Sequence, residues 1–138
     1  MIALIFDVET TGLIKKDSND DPLIIQLSYM LVDLQNIKVI KTYDTYINID
    51  ENIKIPWNVI NVTGITHNRC KKGIPIENAL EQFYQDVKLC HLIIAHNLNF
   101  DSKMIEIETL RCINNNLGNV DLFNSISLEN RQKYCTMI

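Results

Sequence analysis

Hydrophobic and polar positions fall into short, well-separated blocks along this chain. Met1–Phe6 is almost wholly apolar and suits a buried strand, ended by Asp7-Val8-Glu9 and a turn at Thr10-Thr11-Gly12. The polar stretch Lys15–Asp21, closed by Pro22, has loop composition. Leu23–Leu34 suits a second strand in which Gln26 and Ser28 are polar positions. After a turn at Gln35-Asn36, Ile37–Ile49 alternates well enough for a third strand through Val39, Tyr43, Tyr46 and Ile47. Three successive strands with short connections imply an antiparallel meander whose first strand carries the acids.

The period then lengthens. Pro56 opens a short helix over Trp57–Val62, broken at Gly64, and Pro75 opens a longer one over Ile76–Leu89 with Ala79, Leu80, Phe83 and Val87 at helical spacing. Cys90–Ala95 is a further short buried strand. Asn99–Ile113 follows as a helix whose apolar face holds Phe100, Met104, Ile107 and Leu110-Arg111. Asn114–Asn119 is a loop, and Tyr134–Ile138 opens one more strand. A meander followed by alternating helices and strands predicts an α/β layered single domain spanning 1–138.

Composition narrows the function classes. The chain's 138 residues, 46% hydrophobic and 22% charged, can bury one core but not two. Its apolar runs, such as Ile2–Phe6 and Leu92–Ala95, are strand-length and far short of a bilayer span, so no membrane partner is expected. A strand with an acid at the N-terminus leaves no room for a signal peptide. The cysteines Cys70, Cys90, Cys112 and Cys135 are scattered without a CxxC pair, as for reduced thiols in an intracellular setting, cytoplasmic or nuclear. Abundant Asn and Ile are associated with AT-rich genomes, including those of large DNA viruses, which makes a virus-encoded protein one option. The net charge of −4 argues against coating nucleic acid by bulk electrostatics. It leaves open an enzyme that reaches phosphate through bound cations, which reverse the local sign.

Two segments carry candidate chemistry. In Phe6-Asp7-Val8-Glu9-Thr10-Thr11-Gly12 the two acids are two positions apart, so on a strand both carboxylates face one way. Like charges at the mouth of a hydrophobic strand repel unless a cation sits between them, and a hard divalent ion is the simplest remedy. A lone Asp-x-Glu is nevertheless more often a solvated strand end. In Ile93-Ile94-Ala95-His96-Asn97-Leu98-Asn99-Phe100-Asp101 a buried strand runs into a polar turn and a helix. Asp101 there is equally suited to capping the helix or to binding a metal. His67 with Cys70, and Cys90-His91, lack a second pair at zinc spacing.

Taken together, the two segments resemble the first two motifs of the DnaQ-like (DEDD) 3′→5′ exonucleases. Asp7-Val8-Glu9-Thr10-Thr11-Gly12-Leu13 is similar to the first motif, and Ala95-His96-Asn97 with Phe100-Asp101 to the second. Thr63-Gly64-Ile65-Thr66 is similar to a GIT segment between them, which favours the subgroup with a catalytic His. The resemblance implies an RNase H-like α/β fold with a mixed sheet in three layers, the first three strands antiparallel. It implies two Mg²⁺ or Mn²⁺ ions: Asp7 bridging both, Glu9 on the one that activates water, Asp101 on the other. Thr10, Thr11, Gly12 and Leu13 would cradle the terminal nucleotide, with Leu13 wedged against its base. Asn97 and Phe100 would touch the terminal sugar or strand, although a turn former and a core aromatic describe them equally well. The implied reaction removes nucleoside 5′-monophosphates from DNA or RNA 3′ ends.

The sequence departs from the family pattern in two places. Thr63 stands where members often have a His before the GIT. The third motif, an Asp preceded by His or Tyr on a C-terminal helix, has no match. His67, His91 and His96 come too early, and Asp121 and Glu129 lie before the last strand. The expectation is therefore a domain lacking its C-terminal helices and weak as an enzyme alone. Its uncovered sheet face would be met by self-association or by a partner. The alternative from another class is a nuclease-derived module that binds nucleic acid or protein without cutting.

Overall fold

The computed structural model describes residues 1–16 and 19–136. Asp17 and Ser18 of the expected loop, and Met137 and Ile138 of the expected last strand, lie outside the described residues.

The three opening strands form as the alternation requires: β1 (Ile2–Thr10), β2 (Ile24–Asp33) and β3 (Lys38–Tyr46). All are antiparallel neighbours, with Phe6 opposite Tyr29 and Tyr29 opposite Tyr43. β1 does not stop at Phe6. It continues through the acids, because Asp7 pairs with Ser28 and Glu9 with Gln26 before a register shift at Thr10. Helices α1 (Trp57–Thr63), α2 (His67–Lys71) and α3 (Ile76–Val87) lead to β4 (Leu92–Ala95). Then come α4 (Leu98–Asn114), α5 (Val120–Ser125), a 3₁₀ turn at Leu128–Asn130 and the edge strand β5 (Gln132–Cys135). The sheet order is β3-β2-β1-β4-β5, and β4 and β5 run parallel to β1.

Alternation sorts β1 onto two faces. Leu4, Phe6 and Val8 join Leu27, Tyr29 and Leu31 under α3, α4 and α5 in the main core, where Phe6 and Tyr29 meet Phe83 edge-on. Ile25 turns the other way and forms a second cluster with Ile55, Ile65 and Cys70 beneath α1 and α2. Elsewhere that second face is thinly covered: Ile5 and Ile94 are half-buried and Tyr134 on β5 is exposed. No helix among the described residues is long and apolar enough to cross a membrane. All four cysteines are free.

The structure moves several expected elements. The buried stripe of α4 is Leu98, Asp101, Met104, Ile105, Glu108, Thr109 and Cys112, whereas Leu110 is exposed. The expected face was rotated away from this stripe, because two acids occupy core-facing positions that hydrophobicity alone cannot reveal. The last strand begins at Gln132 rather than Tyr134 and is solvent-exposed throughout. The short helices α2 and α5 were not foreseen.

One glycine is fixed by crowding. A Cβ on Gly73 would lie 2.2 Å from the Tyr46 carbonyl oxygen and 2.8 Å from the Ile47 nitrogen, where the chain crosses the end of β3. Both are backbone atoms and cannot swing aside. Gly73→Ala should therefore destabilise the protein by roughly 1–3 kcal/mol, the usual cost of overpacking. Urea unfolding monitored by Trp57 fluorescence would measure it, and a midpoint equal to that of the parent would contradict the crowding.

Candidate active site

β1 and β4 are adjacent and parallel, with Ile5 opposite Ile94, so their carboxyl ends open on the same edge of the sheet. Asp7 follows Ile5 by two residues and His96 follows Ile94 by two. On β1, Phe6, Val8 and Thr10 point into the core, which leaves Asp7 and Glu9 together on the opposite face. Asp101 sits one turn into α4, where its backbone N–H donates to the Asn97 carbonyl at 2.9 Å. Asp7 is exposed, Glu9 half-buried, and Asp101 buried with only 3% of its surface accessible.

The electrostatics tie these three carboxyls together. Burial raises Asp101 most, and the charges of Asp7 and Glu9 raise it further. Backbone hydrogen bonds at Val8 and Asn97 work the other way, and the net result is a pKa of about 7. Glu9 is raised by burial and then by the Asp7 charge. Asp7 is raised by burial, partly offset by the nearby His96 and by a backbone hydrogen bond at Val8. Asp101 Oδ2 is buried without a hydrogen-bond partner. An orphaned buried oxygen beside two repelling carboxylates is costly for folding and suits a cation. As the side chains stand, no three His, Cys, Asp or Glu among the described residues already surround a single metal position. The all-oxygen donor set matches the chemistry of a hard divalent ion.

The remaining expected residues divide by exposure and bonding. Thr10 Oγ1 donates to the Gly12 carbonyl at 2.6 Å, and Thr11 Oγ1 accepts from the Leu23 N–H at 3.0 Å. Both hydroxyls thus shape the loop, and Leu13 at its tip is 77% exposed. Asn97 is the half-buried residue before α4 and makes no side-chain capping bond. Phe100 packs against the main core. In the Thr63–Thr66 turn, Gly64 adopts φ 74° to end α1, Thr63 Oγ1 donates to the Val59 carbonyl, and Thr66 caps α2. The Thr63 hydroxyl is therefore used within the turn.

The sequence reading gave no site role to two residues that the structure places close by. His96 sits beside Asp7 and bonds Thr136 Oγ1 at 3.0 Å. Its position at the end of β4, two residues after the strand's pairing with β1, was the available signal. Glu108 is buried two turns beyond Asp101 on the same helix.

Comparison with known proteins bears on the family and the fold. The profile of the RNase_T family, described as exonuclease, matches residues 4–133. A PolC-type DNA polymerase III from Listeria innocua is 35% identical over 101 residues, which is 73% of this chain and 6% of the polymerase. The same type of polymerase from Staphylococcus aureus is 33% identical over 103 residues, 75% of this chain and 7% of the polymerase. The chain thus spans a small fraction of these relatives. Among solved structures, E. coli exonuclease I in complex with a dT13 oligonucleotide superposes with a TM-score of 0.72 at 14% identity, covering 97% of this chain and 27% of that one. The nuclease domain of 3′hExo, a DEDDh family member bound to rAMP, gives 0.64 at 18% identity over 84% and 60% of the two chains. These neighbours establish the RNase H-like fold.

The Asp101 shift has a direct consequence for stability in the absence of metal. A carboxyl raised from 3.8 to about 7 on folding favours the folded state below its unfolded value and loses that contribution as pH climbs through the folded value. Asp101→Asn removes the titration. Unfolding free energies measured in chelator should therefore show the variant gaining on the parent between about pH 4 and pH 8, by on the order of a few kcal/mol. A difference between the two proteins that stays constant with pH would rule this out.

Proposed function

The chain belongs to the RNase_T family of DnaQ-like 3′→5′ exonucleases, and from that premise we propose that it removes nucleoside 5′-monophosphates from the 3′ ends of DNA or RNA. The observation that carries the reading is the placement of Asp7 and Glu9 on one face at the end of β1 beside the buried, unpartnered Asp101 oxygen, where the Asp7 charge raises both Glu9 and Asp101. Residues 1–138 are the exonuclease domain in this reading.

The roles follow from position. Asp7 and Glu9 project side by side from β1, and the unpartnered Asp101 oxygen faces the same charges from α4. These carboxylates would hold Mg²⁺ or Mn²⁺, and Asp7, coupled to both of the others, is the one suited to bridging a pair of ions. When bound, two such ions supply charge stabilisation for the attacking and leaving oxygens of phosphodiester hydrolysis. The backbone of Thr10–Gly12 is braced by its own hydroxyls and offers a rigid cradle for the 3′-terminal nucleotide. Leu13 presents an apolar side chain to its base.

Metal binding is tested first by melting. Mg²⁺ or Mn²⁺ should raise the melting temperature of the parent, since a ligand that prefers the folded state stabilises it, and Asp7→Ala should lose most of that rise. An identical rise in both proteins would place the ion elsewhere. Turnover is tested with a 3′-labelled oligonucleotide and Mn²⁺. Asp7→Asn should lower the rate of nucleotide release by on the order of 10²–10³-fold or more while leaving the far-ultraviolet spectrum intact. Full cleavage by that variant would remove Asp7 from the reaction, and tight oligonucleotide binding without any cleavage by the parent would favour a binding module.

A further inference from the structure

Glu108 and Arg111 on α4 form a half-sequestered ion pair, with Arg111 Nη1 donating to Glu108 Oε1 at 2.7 Å and Glu108 3% exposed. Among the described residues, their other side-chain hydrogen bonds go to one short segment. Arg111 Nη1 donates to the Pro22 carbonyl at 2.9 Å and Nη2 to the Asp21 carbonyl at 2.8 Å. Glu108 Oε2 accepts from the Ile24 N–H at 3.1 Å. Leu23, between these anchors, bonds Thr11 twice: the Thr11 N–H donates to the Leu23 carbonyl at 2.9 Å, and the Leu23 N–H donates to Thr11 Oγ1 at 3.0 Å. Thr11, Gly12, Leu13 and Arg111 line one open cleft of about 560 Å³.

We propose that Glu108 and Arg111 are positioning residues that clamp Asp21–Ile24 and, through Leu23, hold the Thr10–Leu13 loop in register with Asp101. The inference rests on the nuclease reading above and adds to it the device that keeps its two halves aligned. Asp101 and Glu108 lie on one buried stripe of α4, seven residues and about 10 Å apart along the axis. One rigid helix therefore sets both the carboxylate and the loop. A buried Arg–Glu pair adds little net stability over apolar side chains of similar size, because desolvation offsets the attraction. Registration of the loop is the better account of a pair whose remaining side-chain hydrogen bonds, among the described residues, reach the same four residues.

The test compares the parent with Arg111→Lys, which keeps the charge but loses the planar fork, and with Glu108→Gln, which keeps an oxygen for Ile24 but not the ion pair. Two measurements are made at a temperature where all are folded: amide exchange at Thr11, Leu23 and Ile24, and steady-state kinetics on a 3′-labelled oligonucleotide with Mn²⁺. Loss of a charge-assisted hydrogen bond corresponds to about a tenfold change in an equilibrium. Exchange at Thr11, Leu23 and Ile24 should accelerate by about that factor, with the first turn of α4 unaffected. KM should rise about tenfold, with kcat changed much less. A lower melting temperature with unchanged exchange and KM would mark a merely structural pair and overturn the proposal. So would a loosened loop with unchanged KM. If Arg111→Lys does not fold, Glu108→Gln decides by the same readouts. Absence of Mn²⁺-dependent turnover in the parent would overturn the nuclease reading alone, because the exchange comparison reads the clamp without turnover.

Discussion

The site depends on β1 changing the sense of the sheet. On one side it pairs antiparallel with β2, and on the other it pairs parallel with β4. A parallel neighbour cannot be reached by a hairpin, so the chain must cross over, and α1, α2 and α3 make that crossing. The outcome is that two strands deliver their carboxyl ends to one edge, the place where open α/β sheets bind ligands. Were β4 antiparallel, His96 and Asp101 would emerge at the far end of the sheet from Asp7 and Glu9. Strand direction thus brings the ends of β1 and β4 to one edge, and side-chain alternation on β1 puts Asp7 and Glu9 on one face.

Two buried aspartates show how differently one side chain can be used. Burial alone would raise Asp86, but hydrogen bonds from Lys41, Tyr29 and Gln82 outweigh it and hold the carboxyl below its usual range. The Tyr29 hydroxyl reaches it at 2.6 Å and Lys41 at 2.7 Å, so the group ties β2 and β3 to α3. Asp101 is buried as deeply yet has an orphaned oxygen and acidic neighbours, and its pKa moves the opposite way. The first arrangement is complete within the fold. The second is unfavourable by itself and makes physical sense as half of an interaction with a cation.

Much of this was legible in the sequence, and the residues that were not share a cause. The three antiparallel strands, α3, β4 and both acidic segments could be read because periodicity and proline signals are local. β1 was cut short at Phe6 because acids resemble a strand end, yet the ladder to β2 carries it through Glu9. α2, five residues from His67 to Lys71, has too few turns to establish a period and depends on Thr66 and burial of Cys70. β5 has four exposed residues and exists through its pairing with β4. Glu108 was invisible because its partners lie 84 residues away at Ile24 and, through Arg111, 89 and 90 residues away at Pro22 and Asp21. Long-range satisfaction of a charge leaves no local pattern.

The charge distribution bears on how such a site engages a polyanion. With a net charge of −4 and three carboxylates at its centre, the domain repels phosphate unless bound cations reverse the sign locally. Arg111, which lines the cleft beside the loop, has its guanidinium committed to Glu108, Asp21 and Pro22. Lys15 and Lys54 line the same cleft but share it with Asp20 and Asp21. Sequence-independent attraction of the kind that coats nucleic acid is therefore weak here. In the reading proposed above, grip on a substrate would come from bound ions and from neutral contacts such as the loop backbone and the exposed Leu13. On that proposal the domain would engage chain ends more readily than long tracts, because its attraction would be concentrated beside the acids and the loop.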